Sequence, residues 1–173
     1  LIQENDKIAV CISGGKDSMI LAKCMQQLQK HSSYPFELVF LVMDPGYTPE
    51  NRALIEENAN TLDIPVHIFE SDIFDVTTRV GGSPCYLCAR MRRGCLYSKA
   101  KELGCNKIAL GHNEDDVLET FLLNLLYTGS INTFSPISYM DRSKVTLIRP
   151  LIYAPEKSIK TFIKKHNIEV MPK

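Results

Sequence analysis

Five short apolar, β-branched runs recur along this 173-residue chain, each followed by an amphipathic stretch long enough to form a helix. That alternation predicts an α/β fold with an open, mainly parallel sheet and helices on both faces, because parallel strands need long crossover connections. Strands are expected at 7–13, 36–43, 66–70, 107–111 and 145–149. Helices are expected at 17–30, 49–62, 89–103, 114–128 and 155–166. Thr48 supplies a cap and Pro49 a first helical residue, while Gly104 and Gly129 close two other helices. No internal repeat, low-complexity tract or linker interrupts the pattern, so residues 1–173 read as one domain, with Leu1 and Pro172-Lys173 looking like trimmed ends.

Ligands of open parallel sheets gather outside the carboxyl ends of the strands, so Ser13 to Ser18, Asp44 and Gly111 to Asp116 are expected on one edge. The hexapeptide Ser13-Gly14-Gly15-Lys16-Asp17-Ser18 stands directly between the first strand and the first helix. Its two glycines clear side chains away from the backbone amides, and the helix offers its positive end to an anion. Ser13 and Ser18 add hydroxyls and Lys16 a cation. The spacing is neither GxxxxGK[ST] nor GxGxxG. It resembles SGGxDS, the pyrophosphate loop, and the resemblance implies binding of ATP and cleavage between its α and β phosphates. The bland reading is a Gly-Gly turn capped by serines.

Twenty basic residues balance twenty acidic ones, so a nucleic acid would have to be held by a local patch. The sequence contains no apolar stretch of membrane-spanning length and its first residues do not read as a signal peptide, which predicts a cytoplasmic protein with no membrane partner. Six cysteines in that setting argue for buried or metal-binding thiols rather than disulfides.

Cys85 and Cys88 stand at CxxC spacing just ahead of the helix expected to open at Ala89, with Arg90, Arg92 and Arg93 following. The helix end and these cations favour thiolate over thiol. Half a zinc site, a redox dithiol and two ligands of an iron-sulfur cluster all fit, and spacing alone favours zinc. Cys11 and Cys24 fall on expected core positions and Cys105 follows a helix-ending glycine, so all three read as buried structural thiols. Two adjacent carboxylates, Asp115 and Asp116, open a helix at the ligand edge and could hold magnesium; negative charge in a first helical turn is favourable for its own sake as well. In helix 114–128 apolar residues cover most of the circumference, which predicts deep burial or a subunit contact such as a homodimer. Lys157, Lys160, Lys164 and Lys165 surround an apolar face on helix 155–166 and read as plain surface.

Pro84-Cys85-Tyr86-Leu87-Cys88, the segment Ala89-Arg90-Met91-Arg92-Arg93-Gly94-Cys95, and Gly111-His112-Asn113-Glu114-Asp115-Asp116, taken with the glycine loop, closely resemble the TtcA/TtuA family of tRNA 2-thiolation enzymes. Within that family the Cys-x-x-Cys-x-Arg-x-Arg-Arg-Gly form looks most like the 2-thiocytidine branch. The resemblance implies an adenine nucleotide alpha hydrolase-like, PP-loop ATP pyrophosphatase fold. It also implies an ATP-dependent sulfurtransferase that adenylates a pyrimidine of tRNA, most like an anticodon-loop cytidine, and exchanges its oxygen for sulfur. By resemblance the cofactors are ATP, Mg2+ and a 4Fe-4S cluster, and the partners are tRNA and a sulfur donor or cysteine desulfurase. Cys85 and Cys88 would ligate the cluster, Asp44 would lie beside ATP, Arg92 and Arg93 would act on substrate or leaving group, and Asp116 would match a residue implicated in catalysis. The family's third cluster cysteine follows a proline near the C-terminus, where this chain reads Pro172-Lys173, and Cys95 is a poor substitute at roughly 10 Å of helical rise from Cys88. Rival readings are a 2-thiouridine synthase, a lysidine-synthase-like enzyme, and a non-catalytic nucleotide-binding module with a zinc half-site.

Overall fold

The computed structural model describes residues 1–70 and 84–170; the side chains of 84–90 and of Arg92 lie outside the described set. Six strands form one sheet: β1 (Lys7–Ile12), β2 (Glu37–Asp44), β3 (Val66–Glu70), β4 (Lys107–Ala109), β5 (Ile137–Met140) and β6 (Val145–Ile148). Their spatial order is β3-β2-β1-β4-β6-β5. All neighbours pair in parallel except β5 with β6, which run antiparallel at one edge. The helices are α1 (Lys16–His31), α2 (Pro49–Thr61), α3 (Pro84–Glu102), α4 (Glu114–Leu123), which continues as a π-helical turn at Asn124–Thr128, and α5 (Glu156–Lys165).

Strand alternation sorts the apolar residues onto two faces. Ile8, Val10, Ile12, Phe40, Val42, Ala109 and Ile148 pack in one core with Met19, Leu21, Ile55, Ile159 and Ile163, which places α1, α2 and α5 on that side. Ala9, Leu41, Ile108, Val145 and Leu147 face a second core with Ala100 of α3. Helices therefore cover both faces, which explains why the central strands read as unbroken apolar runs.

Several expectations need adjustment. No strand is expected between 129 and 144, but Ile137–Met140 is an edge strand, paired among the described residues with β6 alone. Its pattern is short and half exposed, so it lacked the apolar run that marked the other strands. Helix α3 starts at Pro84 rather than Ala89, five residues early, because proline fits the first helical position, where no N–H is needed. Cys85 and Cys88 thus lie in its opening turns rather than ahead of it. The expected deep burial of helix 114–128 is overturned: neither α4 nor the π-turn contains a buried residue, and Leu118, Leu122, Leu125 and Leu126 are exposed. An all-round apolar helix can lie on a surface when nothing in its own chain packs over it. Cys24 is exposed rather than in the core, because its position on α1 falls outside the stripe formed by Met19, Leu21, Ala22 and Met25. Residues 71–83 and the chain end at Pro172-Lys173 lie outside the described residues.

Candidate functional site

The order in which strands are added reverses at β1, whose next strand β2 lies on one side while β4 lies parallel to it on the other. This is the switch point where loops after two neighbouring strands diverge and leave a crevice. Ser13 to Ser18 leave β1 there, and Gly111 to Asp116 leave β4. Asp44 ends β2 on the same edge.

Gly14 takes φ +80°, a left-handed conformation that a side chain would strain, and Gly15 turns the chain into α1 without any side-chain cap on the helix. The first N–H groups of α1 therefore keep no side-chain partner of this kind, unlike α2, capped by Thr48, and α4, capped by Asn113. Ser18 is buried and turns inward: its Oγ donates to Gly15 O at 2.8 Å and accepts from Ser13 N at 3.1 Å. Its hydroxyl braces the loop instead of pointing out, whereas Ser13 is exposed. Lys16 Nζ lies 2.8 Å from Asp17 Oδ2 and 2.8 Å from Glu156 Oε1. Desolvation would lower the Lys16 ammonium, but these two carboxylates outweigh it and raise it, so the cation persists.

The β4 loop closes tightly on this turn. A Cβ on Gly111 would stand 3.1 Å from the carbonyl carbon and oxygen of Asp17 and 3.2 Å from Ser18 N, so only glycine allows the approach without displacement. Buried Asn113 accepts from Asp116 N at 3.2 Å, while Asp116 Oδ2 accepts from Asn113 N at 2.8 Å, a reciprocal capping box. The Asn113 amide also donates to Asp17 Oδ1 at 3.0 Å. Asp115 Oδ2 accepts from Glu156 N at 2.7 Å, at the start of α5. Asp115 and Asp116 thus each have one oxygen committed to a backbone N–H, whereas both oxygens of Asp17 are met by side chains. Asp44 is buried and folds its own turn, accepting from Gly46 N at 2.8 Å and Tyr47 N at 2.6 Å, with Arg52 at 3.4 Å.

Beside the loop lies a cavity of about 300 Å³ lined by Ser13, Asp17, Ser18, Leu96, Gly111 and His112, among others. Leu96 belongs to α3, so the helix that begins with the CxxC pair runs along the glycine turn. His112 packs on the Phe134 ring, 4.9 Å between centroids, and the Arg149 guanidinium lies over that same ring, 4.9 Å from its centroid. Burial, then the nearby Arg149 charge, lowers the His112 pKa, so its imidazole is neutral near pH 7. Uncapped amides, a glycine turn, a paired lysine and carboxylates at a crevice can accept a polyphosphate and a cation that bridges it.

A model of the PP-loop domain matches residues 2–171. The chain belongs to the PP-loop family. Among relatives of this PP-loop chain, the tRNA-cytidine(32) 2-sulfurtransferase of Pelobacter propionicus is 39% identical over 99% of the chain and 65% of its own length. The protein of that name from Citrifermentans bemidjiense is 38% identical over 99% of the chain and 68% of its own. The chain spans about two thirds of the length of these curated relatives. Among solved structures, the U34-tRNA thiolase NcsA from Methanococcus maripaludis with its [4Fe-4S] cluster superposes with a TM-score of 0.76 at 23% identity, covering 98% of this chain and 60% of that one. That likeness concerns the PP-loop fold.

Of the residues singled out by sequence, Ser13 to Ser18, Gly111, Asp115 and Asp116 come together at the crevice, and Asp44 shares the edge. The side chains of Cys85, Cys88 and Arg92 are outside the described residues. Lys99, further along the same helix, pairs with Glu102 at 3.0 Å. Among the described residues no three His, Cys, Asp or Glu side chains cluster as a metal site. Cys105 is buried and Cys11 partly so; desolvation, with Cys105 nearby, pushes the Cys11 thiol up to about 12, which keeps it inert. Two site residues escaped the sequence reading. Asn113 had a usable signal, the Asn-x-x-Asp capping pattern, but Glu156 had none, because only the packing of α5 brings it to Lys16.

Proposed function

We propose that this chain is the ATP-using part of a tRNA 2-thiolation enzyme acting on a cytidine, as the names of its relatives say of them. The observation that carries the reading is the glycine turn at the switch point of the sheet, whose adjoining cavity is lined by Ser13, Asp17, Ser18 and Gly111 together with Leu96 of the helix that the CxxC pair opens. The triphosphate would lie on the free amides of Gly14, Gly15 and the first turn of α1, with Ser13 and Lys16 as further donors and Asp44 on the nucleoside side. O2 of the pyrimidine attacks the α phosphorus, the α–β bond breaks, and pyrophosphate departs. Lys16 counters the charge that develops on the leaving group. Asp17, Asp115 and Asp116 are oxygen donors suited to magnesium, which when bound neutralises the phosphates. Sulfur then displaces the adenylated oxygen at C2 and AMP leaves, with Arg92 and Asp116 as the residues that would act on substrate or leaving group.

Cys85 and Cys88 fit a [4Fe-4S] cluster by donor chemistry: two thiols in the opening turns of a helix followed by arginines would favour the thiolate form that ligates iron. Such a cluster supplies the sulfide when bound. Its remaining ligand would come from beyond this pair, and the sulfur donor would be a cysteine desulfurase or an equivalent source. An enzyme acting on tRNA would work in the cytoplasm, and the exposed apolar side of α4 would suit a homodimer contact. Among the described residues no helix is long and apolar enough to cross a membrane.

The test is nucleoside analysis of tRNA from cells with and without the gene. Loss of 2-thiocytidine supports the proposal, loss of 2-thiouridine instead would move the target to uridine, and no change in either would overturn it.

A further inference from the structure

Lys16 is the one cation of the glycine turn, and it is not waiting empty for phosphate. Its ammonium lies 2.8 Å from Asp17 and 2.8 Å from Glu156, with only 15% of its side chain exposed. Asp17 is anchored, since its other oxygen takes the Asn113 amide. Glu156 is different: it arrives from the first turn of α5, and its second oxygen is held by Lys160, whose side chain is 58% exposed.

We infer that Glu156 is a positioning residue that competes with pyrophosphate for Lys16, holding the ammonium when the site is empty and reclaiming it so that the product leaves. The inference rests on the phosphate-binding reading of the glycine turn and is independent of the thiolated base. An ammonium has three N–H donors, and two are committed to carboxylates here. One N–H is left for a phosphate oxygen, so a polyphosphate that takes a second must displace the Glu156 carboxylate. Displacement is cheap because Lys160 stays with Glu156 and keeps it neutralised. The carboxylate also opposes a polyanion electrostatically at close range. Lys16 and Lys160 together pull the Glu156 carboxyl down to about 2, so it remains charged throughout neutral pH.

The experiment is calorimetric binding of inorganic pyrophosphate in magnesium buffer to full-length wild type and to E156Q, K160M and the pair K16M and K16M/E156Q. E156Q should bind roughly tenfold more tightly, through slower dissociation, with steady-state turnover lowered where product release limits it. K160M, which strengthens the hold of Glu156 on Lys16, should bind two- to threefold more weakly. With Lys16 gone, adding E156Q should change affinity far less than it does in wild type, because the two residues act through one contact. Equal or weaker binding by E156Q with wild type intact overturns this inference alone. If wild type itself binds no pyrophosphate, the phosphate reading of the turn fails and takes the inference with it. Lys160 is exposed, so K160M reports even if E156Q folds poorly.

Discussion

The Asn113 side-chain amide donates to Asp17 Oδ1 at 3.0 Å, joining the first turn of α4 to the first turn of α1 across the switch point of the sheet. Asn113 is 2% exposed and also caps α4, so one residue sets the spacing of the two loops. N113A should cost about 2 to 3 kcal/mol, the sum of a lost cap and a lost hydrogen bond to a carboxylate. N113D keeps the cap but sets two carboxylates face to face, so it should be no more stable than N113A. Urea denaturation decides, and an N113D protein as stable as wild type would contradict the arrangement.

Gly111 is a spacing residue of the same kind. In G111A the new methyl meets the backbone of Asp17 and Ser18 at 3.1 to 3.2 Å and must push the glycine turn. ATP affinity should drop roughly tenfold, about 1.4 kcal/mol, while far-ultraviolet circular dichroism stays that of the wild type. Undiminished affinity in calorimetry would mean the turn tolerates displacement.

Away from the site, Lys107 and Asp6 form a buried ion pair at 2.7 Å, and Asn106 donates to the same carboxylate at 2.8 Å. Burial alone would raise the Asp6 carboxyl, but the hydrogen bonds from Lys107, Asn106 and the Gln3 N–H outweigh it and leave the group below its usual range. A carboxyl depressed on folding contributes stability above its unfolded pKa, about 3.9, and loses it as pH falls through the lower folded value. D6N, which strands Lys107, should cost about 3 kcal/mol at pH 7. The difference from wild type should shrink on acidification below about pH 4. Denaturation midpoints across pH test this, and a constant gap would refute the linkage.

Cys85 and the glycine turn belong to different elements, the opening of α3 and the opening of α1. C85A should therefore abolish thiolation of tRNA while changing ATP affinity less than about twofold. Thiolated-nucleoside assays and calorimetry on the same preparation separate the two effects. A large loss of nucleotide binding would place the cysteine in the phosphate site.

Much of this was readable from local signals. Pro49 and Thr48 marked the start of α2, Gly104 the end of α3, and the Gly14-Gly15 pair the turn between β1 and α1, because each acts within a few residues of itself. Ile137–Met140 was not readable, since a short edge strand is stabilised by the strand it joins rather than by its own composition. Of the two expectations for α4, burial within the chain or a subunit contact, sequence could not choose, because periodicity reports how apolar a helix is and says nothing of what covers it.

The sequence alone determined the α/β alternation, the strand, glycine turn and helix that make an anion site, and the CxxC placed before a run of arginines. Only the tertiary structure decided that Asn113 would hold Asp17, that Glu156 would hold Lys16, and that Ser18 would brace its own loop. The physical reason is range. Propensity, capping and backbone strain are settled between near neighbours, whereas a hydrogen bond between residues 96 positions apart exists only once strand order has fixed where two loops emerge.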